Sequence, residues 1–167
     1  MTTDFNRLIR VLADGGIECV LVGGVAAIAH GAARTTFDVD IVYSRNPGNL
    51  HRLVASLGPL EPYLRGAPPG LPFRWDIQTI RSGLNFTLTT AAGEIDLLGE
   101  VAGGGTYEQL LPHTQEIQVL GVVLRVVTLE KLIQLKRAAG RPKDLEAIAE
   151  LQALLEERRK GRVDRST

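Results

Sequence analysis

The chain has 167 residues, the size of one ordinary domain: enough to bury a core, too few for two independent ones. With 44% hydrophobic and 23% charged residues its composition is globular, which excludes a disordered or fibrous chain. The 19 basic and 19 acidic residues cancel, so no overall charge draws it to nucleic acid or an anionic membrane, and any such partner must meet a local patch.

The start, Met1-Thr2-Thr3-Asp4-Phe5, has no basic segment followed by an apolar run, and no stretch is long enough to cross a bilayer, so a cytoplasmic location is expected. Over residues 4–13, Phe5, Leu8, Ile9 and Leu12 fall at helical spacing, with Thr3 or Asp4 as N-cap and Gly15-Gly16 as the stop. Cys19 to Val22 reads as a strand buried on both faces that ends in Gly23-Gly24. Its cysteine is the only one in the chain, so it has no internal disulfide partner and reads as a small buried hydrophobe. Residues 26–30 suit a short helix closed by Gly31. Residues 36–43 then alternate, Phe37, Val39, Ile41 and Tyr43 against Asp38, Asp40 and Val42, which predicts a strand with two unlike faces. Asn46-Pro47 opens a helix that carries Leu50, Leu53, Val54 and Leu57 as far as Gly58-Pro59.

Residues 58–72 are dense in Pro and Gly and predict an ordered but irregular surface loop, with no function legible in it. Residues 85–90 and 94–101 read as two strands joined by Ala91-Ala92-Gly93. After Gly103-Gly104-Gly105, residues 117–120 and 122–127 form a second hairpin about Gly121. Thr128 caps a helix through Lys136 and Arg137, and past Gly140-Arg141-Pro142 a last helix spans residues 143–158. Residues 160–167 read as a polar, frayed tail, which leaves residues 1–159 as a single domain that includes both C-terminal helices. This order of elements predicts an α/β or α+β fold, a mixed β-sheet with helices packed on it.

Asp38 and Asp40, two apart on one strand, point to the same face, and Asp96 lies in the similar setting Glu94-Ile95-Asp96-Leu97-Leu98. Neighbouring carboxylates repel unless a cation lies between them, and hard oxygen ligands suit magnesium or manganese. If the two strands are adjacent, all three acids converge on a site able to hold two divalent cations, with Asp96 nearest an attacking hydroxyl. Alone, an Asp-x-Asp pair is as well explained by a solvated strand face; the apolar flanks and the upstream glycines tip the balance towards metal. Gly23-Gly24, between a buried strand and a helix, permits close backbone approach to phosphate. Neither a G-x-x-x-x-G-K-[ST] loop nor a G-x-G-x-x-G fingerprint is present at this turn.

These segments, Leu21-Val22-Gly23-Gly24-Val25-Ala26, Arg34-Thr35-Thr36-Phe37-Asp38-Val39-Asp40 and the later Asp96, resemble the nucleotidyltransferase superfamily related to DNA polymerase beta. They are most similar to its bacterial toxin-type and abortive-infection-type branch, and Lys136 with Gly140-Arg141-Pro142-Lys143-Asp144 is similar to that branch's C-terminal Lys and Lys-Asp motif. The resemblance implies a minimal nucleotidyltransferase fold in which Gly23 and Gly24 contact a nucleoside triphosphate such as ATP. It implies that Asp38 and Asp40 bind the metals, that Asp96 completes the site, and that Lys136, Lys143 and Asp144 assist. Lys136 suits phosphate neutralisation and Asp144 the orientation of Lys136 or a nearby arginine, though the same residues fit ordinary charges on amphipathic helices. Arg34 fits either a phosphate or a pairing with Asp38 or Asp40.

Val25 departs from the pattern, which often has a small or hydroxyl residue after the glycines. His30, His51 and His113 show no ligand spacing, and Trp75 suits base stacking or, more ordinarily, packing. Two functions follow. One is transfer of a nucleotidyl group from a triphosphate to a hydroxyl of RNA, a protein or a small molecule, with RNA or protein favoured by the resemblance and a toxin–antitoxin setting in view, including an antitoxin partner. The other is a catalytically reduced module that binds nucleotide or a partner. Arg158-Arg159-Lys160 and Arg162 form a basic end that fits nucleic-acid steering or a solvated helix terminus.

Overall fold

The computed structural model describes residues 2–165. Asp4 caps α1 (Phe5–Asp14), its carboxylate accepting from the Arg7 amide, and the helix buries Leu8, Ile9 and Leu12 as their spacing predicts. β1 (Cys19–Val22) is buried along its length and passes at Gly23 straight into α2 (Gly23–Ala29). β2 (Asp38–Tyr43) and α3 (Pro47–Leu57) follow, the helix capped by Asn46 with proline in its first turn.

The loop expected to be irregular holds regular elements. A 3-10 turn at Gly58–Leu60 leads to β3 (Tyr63–Leu64), which pairs antiparallel with β4 (Phe86–Thr90), and α4 (Ile77–Ser82), capped by Asp76, lies between them in the chain. β5 (Gly93–Leu98) makes the expected hairpin with β4 but stops before residue 101. A Cβ at Gly99 would overlap Leu84, and β6 (Glu100–Val101) turns away to pair with β7 (Gly105–Thr106) in a separate ribbon. Thr106 and Gln109 then form a capping box on α5 (Tyr107–Leu110), a four-residue spacing that hydrophobic periodicity does not reveal. β8 (Thr114–Val119) and β9 (Val122–Val127) form the second hairpin, followed by α6 (Leu129–Ala139), capped by Thr128, and α7 (Pro142–Arg165). α7 outruns its predicted end at Arg158 because Glu156-Glu157-Arg158-Arg159-Lys160 are strong helix formers. Of the predicted tail, residues 160–165 continue the helix and residues 166 and 167 lie outside the described residues.

Seven strands form one sheet in the order β3-β4-β5-β2-β1-β9-β8. β2 runs parallel to β5 and antiparallel to β1, while β1 runs parallel to β9, so the sheet is mixed, with helices flanking it. This is the architecture expected of a minimal nucleotidyltransferase fold. α2 packs on β1, β2 and α6, and α1 packs on β9, β2 and α3. Two expectations for β2 need correction. Phe37 lies outside the strand and is 76% exposed, its carbonyl accepting from the Thr3 hydroxyl at 2.6 Å, and Val42, placed on the polar face by alternation, is fully buried. The polar face is therefore confined to the Asp38 and Asp40 end of the strand.

Candidate active site

Gly23 opens the site. Its φ of +69° is a left-handed conformation that side-chain-bearing residues rarely adopt, and a Cβ there would overlap the Asp40 carboxylate. A Cβ at Gly24 would come within 2.5 Å of the Thr36 hydroxyl and 2.7 Å of its Cβ. The double glycine is thus required for close packing of the turn on the carboxylate strand, in addition to any approach to phosphate. Val25 is buried in the core, where a hydroxyl would face apolar neighbours rather than the cleft.

The three acids converge. Asp40 on β2 is the register partner of Asp96 on the parallel β5, and Asp38 that of Glu94, so adjacent strands present all four on one face. One carboxylate oxygen from each of Asp38, Asp40 and Asp96 lies within 4.8 Å of the others. Burial, then the charge of Asp38 and contact with Asp96, pushes the Asp40 carboxyl up to about 8. Burial and the charge of Asp96 also raise Asp38, against the opposing pull of Arg65. A site this reluctant to ionise fully is suited to a divalent cation, and hard oxygen donors fit magnesium or manganese.

Arg65, just past β3, is the residue that sequence reasoning missed. Its guanidinium lies 2.8 Å from Asp96 Oδ1, 3.5 Å from Glu94 Oε2 and 3.7 Å from Asp38 Oδ2. Nη2 also donates to the Leu88 carbonyl at 2.8 Å. The Nη2 contact with Asp96 and the Nε contact with Glu94 have ion-pair distances without hydrogen-bond geometry, so buried Asp96 Oδ1 and Arg65 Nε have no hydrogen-bond partner. No local pattern marks Arg65: it reaches the acids because β3 lies two strands from β5 in the sheet, a non-local fact.

The facing wall is cationic. Asp144, in the first turn of α7, has a fully buried side chain and binds Arg141 Nε at 2.6 Å and Lys136 Nζ at 3.4 Å. Burial alone would raise its carboxyl, but the Arg141 hydrogen bond and the charges of Lys136 and Arg141 outweigh it and hold it below the usual range. Asp144 therefore orients both Lys136 and an arginine, the alternatives the sequence left open. Arg34 pairs with neither Asp38 nor Asp40: its Nε meets Glu150 Oε2 of α7 at 3.0 Å, and the Ala33 amide donates to the same carboxylate. Between the two walls lies a cleft of roughly 770 Å³ lined by Gly23, Gly24, Arg34, Asp38, Asp40, Asp96, Lys136, Arg141, Lys143 and Asp144. Every residue singled out from the sequence for this site lines that one cleft.

A family model described as nucleotidyl transferase of unknown function (DUF2204) matches residues 74–167, more than half of the chain. The chain belongs to that family. The matched part of the chain carries Asp96, Lys136, Lys143 and Asp144; Gly23, Gly24, Asp38 and Asp40 lie outside it and are joined to the rest by the geometry above. No curated protein matches the chain.

Other candidates from the sequence lie elsewhere. Trp75 packs against the core and donates its indole N–H to the Val54 carbonyl at 3.0 Å. Cys19 is buried, and desolvation pushes its thiol up to about 12. His30 is buried with Nε2 at 2.7 Å from the Val127 carbonyl, while His51 and His113 are exposed. No helix among the described residues is long and apolar enough to cross a membrane.

Proposed function

We propose that this protein transfers a nucleotidyl group from a nucleoside triphosphate to an acceptor hydroxyl, with magnesium or manganese held by Asp38, Asp40 and Asp96. The observation that carries this reading is the convergence of those acids on one side of a cleft whose other side presents Lys136, Arg141 and Lys143. In the reaction the acceptor oxygen bonds to the α-phosphorus, the α–β phosphoanhydride bond breaks, and pyrophosphate leaves. The cation would neutralise phosphate charge and acidify the attacking hydroxyl. Gly23 and Gly24, bare of side chains, let the triphosphate lie against the turn, and Lys136, Arg141 and Lys143 offset the charge that grows on the leaving pyrophosphate. The position of β5 on the far side of β2 from the glycine turn supports a role for Asp96 as the acid nearest the acceptor and as the base for its proton.

The resemblance favours RNA or a protein as acceptor, in a toxin–antitoxin setting with an antitoxin as partner and in the cytoplasm, where triphosphates are abundant. A second reading, a module that binds nucleotide without turnover, draws support from Arg65, whose guanidinium already satisfies part of the acid cluster.

Thermal unfolding with Mg²⁺ and each triphosphate tests the site. At about 100 times its Kd a ligand adds about 2.7 kcal/mol of stability, a rise in Tm of roughly 5–10 °C for a chain of this size. The rise is expected with at least one triphosphate, only with Mg²⁺, and not in Asp38→Asn/Asp40→Asn. Absence of any metal-dependent rise, with direct binding also absent, overturns both readings. Binding without pyrophosphate release across RNA, protein and small-molecule acceptors selects the second.

A further inference from the structure

Four carboxylates, those of Asp38, Asp40, Glu94 and Asp96, face one another across β2 and β5, and a fixed positive charge is already among them. Arg65 holds its place through both backbone and side chain: its amide donates to the Thr87 carbonyl at 3.0 Å and its Nη2 to the Leu88 carbonyl at 2.8 Å. The following turn is tied down as well, with the Tyr63 hydroxyl donating to the Pro68 carbonyl at 2.5 Å and the Tyr63 ring packed edge-on against Phe73. A guanidinium does not lose its proton in a protein, so this charge is permanent. It is also unevenly placed. It lies 2.8 Å from Asp96 Oδ1 and 3.7 Å from Asp38 Oδ2, and no ion pair joins it to Asp40 among the described residues.

We propose that Arg65 takes the place of one of the two divalent cations that three converging aspartates could otherwise bind, so that the site holds a single divalent cation, on the Asp38–Asp40 side. This rests on the metal-dependent reading above and narrows it: Asp96 then pairs with Arg65 and does not ligate the cation. A second cation would need Asp96 as a ligand. Asp96 Oδ1 is ion-paired with the guanidinium at 2.8 Å though not hydrogen-bonded to it, and a divalent ion beside it would meet that positive charge a few ångströms away in a partly buried site where screening is weak. Arg65 is then a positioning residue: it holds Asp96 in place next to the acceptor and supplies, as a fixed charge, part of the neutralisation that a second metal would bring. The cation on the Asp38–Asp40 side stays clear of it, nearer the glycine turn and the phosphates.

Equilibrium dialysis against Mn²⁺, alone and with each of the four α,β-methylene nucleoside triphosphates, counts the ions held per chain without any turnover. The expected count is one for the native protein, two for Arg65→Gln, and one for Arg65→Lys, which keeps the charge without the planar fork. Asp96→Asn is expected to keep a count of one and Asp40→Asn to lose it. A native count of two overturns the inference while the metal-dependent reading stands. A count of one in both native protein and a folded Arg65→Gln does the same, since the guanidinium is then not what limits the site. No Mn²⁺ on the native protein with any of the analogues overturns the metal-dependent reading and this inference together. Circular dichroism shows whether Arg65→Gln is folded; if it is not, the native count and Arg65→Lys decide, and a count of two for either rejects the substitution of charge for metal.

Discussion

The two walls of the cleft carry the same residue type in opposite states. On the sheet wall the Asp40 carboxyl is driven up to about 8 and Asp38 is raised with it; on the helix wall the Asp144 carboxyl is held below the ordinary range. The difference is one of partners. Asp144 is more deeply buried than either, yet Arg141 and Lys136 satisfy it at 2.6 and 3.4 Å, whereas Asp38, Glu94 and Asp96 share the guanidinium of Arg65 and Asp40 has no ion pair with it. The helix wall is finished by the fold. The sheet wall is left short of positive charge, and that shortage is what a ligand bringing a cation would relieve. Carboxylates that the fold satisfies are anchors; carboxylates that it leaves in mutual repulsion are the ones positioned to act.

The sharpest way to break this contrast is at Asp96. Asp96→Asn keeps the shape of the residue and trades repulsion with Asp38 and Asp40 against the ion pair with Arg65, so stability should change by no more than about 1 kcal/mol, while transfer should fall by on the order of a thousand-fold. Triphosphate binding should change only a few-fold, since the role proposed for Asp96 is on the acceptor side. A folded Asp96→Asn protein that transfers at the native rate would put the chemistry elsewhere.

The sheet wall was largely legible in the sequence and its counter-ion was not. Asp38, Asp40 and Asp96 announce themselves because strand alternation is a local rule: an acid between apolar neighbours has only one face to occupy. The double glycine is equally local. Arg65 obeys no such rule. It lies in a stretch whose proline and glycine content argued against regular structure, and it meets the acids only through the pairing of β3 with β4 and of β4 with β5. On the helix wall the residues were legible and their partners only in part. Asp144 could be matched with Lys136 or a nearby arginine because all three are close in sequence, whereas the pairing of Arg34 with Glu150 spans 116 positions. Phe37 was misplaced for a related reason: the Thr3 hydroxyl, 34 positions away, takes its carbonyl, and the strand begins only at Asp38.

A second test concerns what holds the sheet wall to the glycine turn. Gly23→Ala introduces a side chain at positive φ and drives it into Asp40, and should cost about 2–4 kcal/mol, a fall in Tm of roughly 5–15 °C. Asp40→Ala in the Gly23→Ala background should recover part of that loss by opening the space. If the single variant is as stable as the native protein, the turn is looser than its geometry implies.

The helix wall predicts a smaller and different loss. Asp144→Ala removes the partner of two cations that are themselves partly in contact with water, so the cost should be about 1–3 kcal/mol rather than that of a fully buried pair. Its mark should be in affinity: with Lys136 and Arg141 no longer held, the KM for triphosphate should rise about tenfold while kcat changes less. A fall in kcat with KM unchanged would make Asp144 part of the chemistry rather than an anchor, and the contrast between the walls would fail.

The smallest effect expected lies where the two walls are joined. His30 ends α2, which starts at the glycine turn; its ring Nε2–H donates to the Val127 carbonyl just before α6, and its own carbonyl accepts from Arg158 of α7 at 2.9 Å. Nδ1 is buried without a partner, and desolvation lowers the ring's pKa from its ordinary 6.5. The unfolded chain therefore takes up a proton that the folded protein refuses, so this contribution is full above about 6.5 and is lost as pH falls below it towards the lowered folded value. Asp40 works in the opposite sense. Its raised carboxyl keeps a proton that the unfolded chain releases near 4, so the metal-free protein gains stability from it as pH falls from about 8 towards 4. Denaturant unfolding of native protein and His30→Gln, both metal-free, across pH 7.5 to 5 separates the two, because the Asp40 slope is common to both. The native protein should lose stability relative to the variant as the solution is acidified. Parallel curves would mean that the ring accepts its second proton in the folded state, and that the link between the glycine-turn helix and the cationic wall survives a charge at its centre.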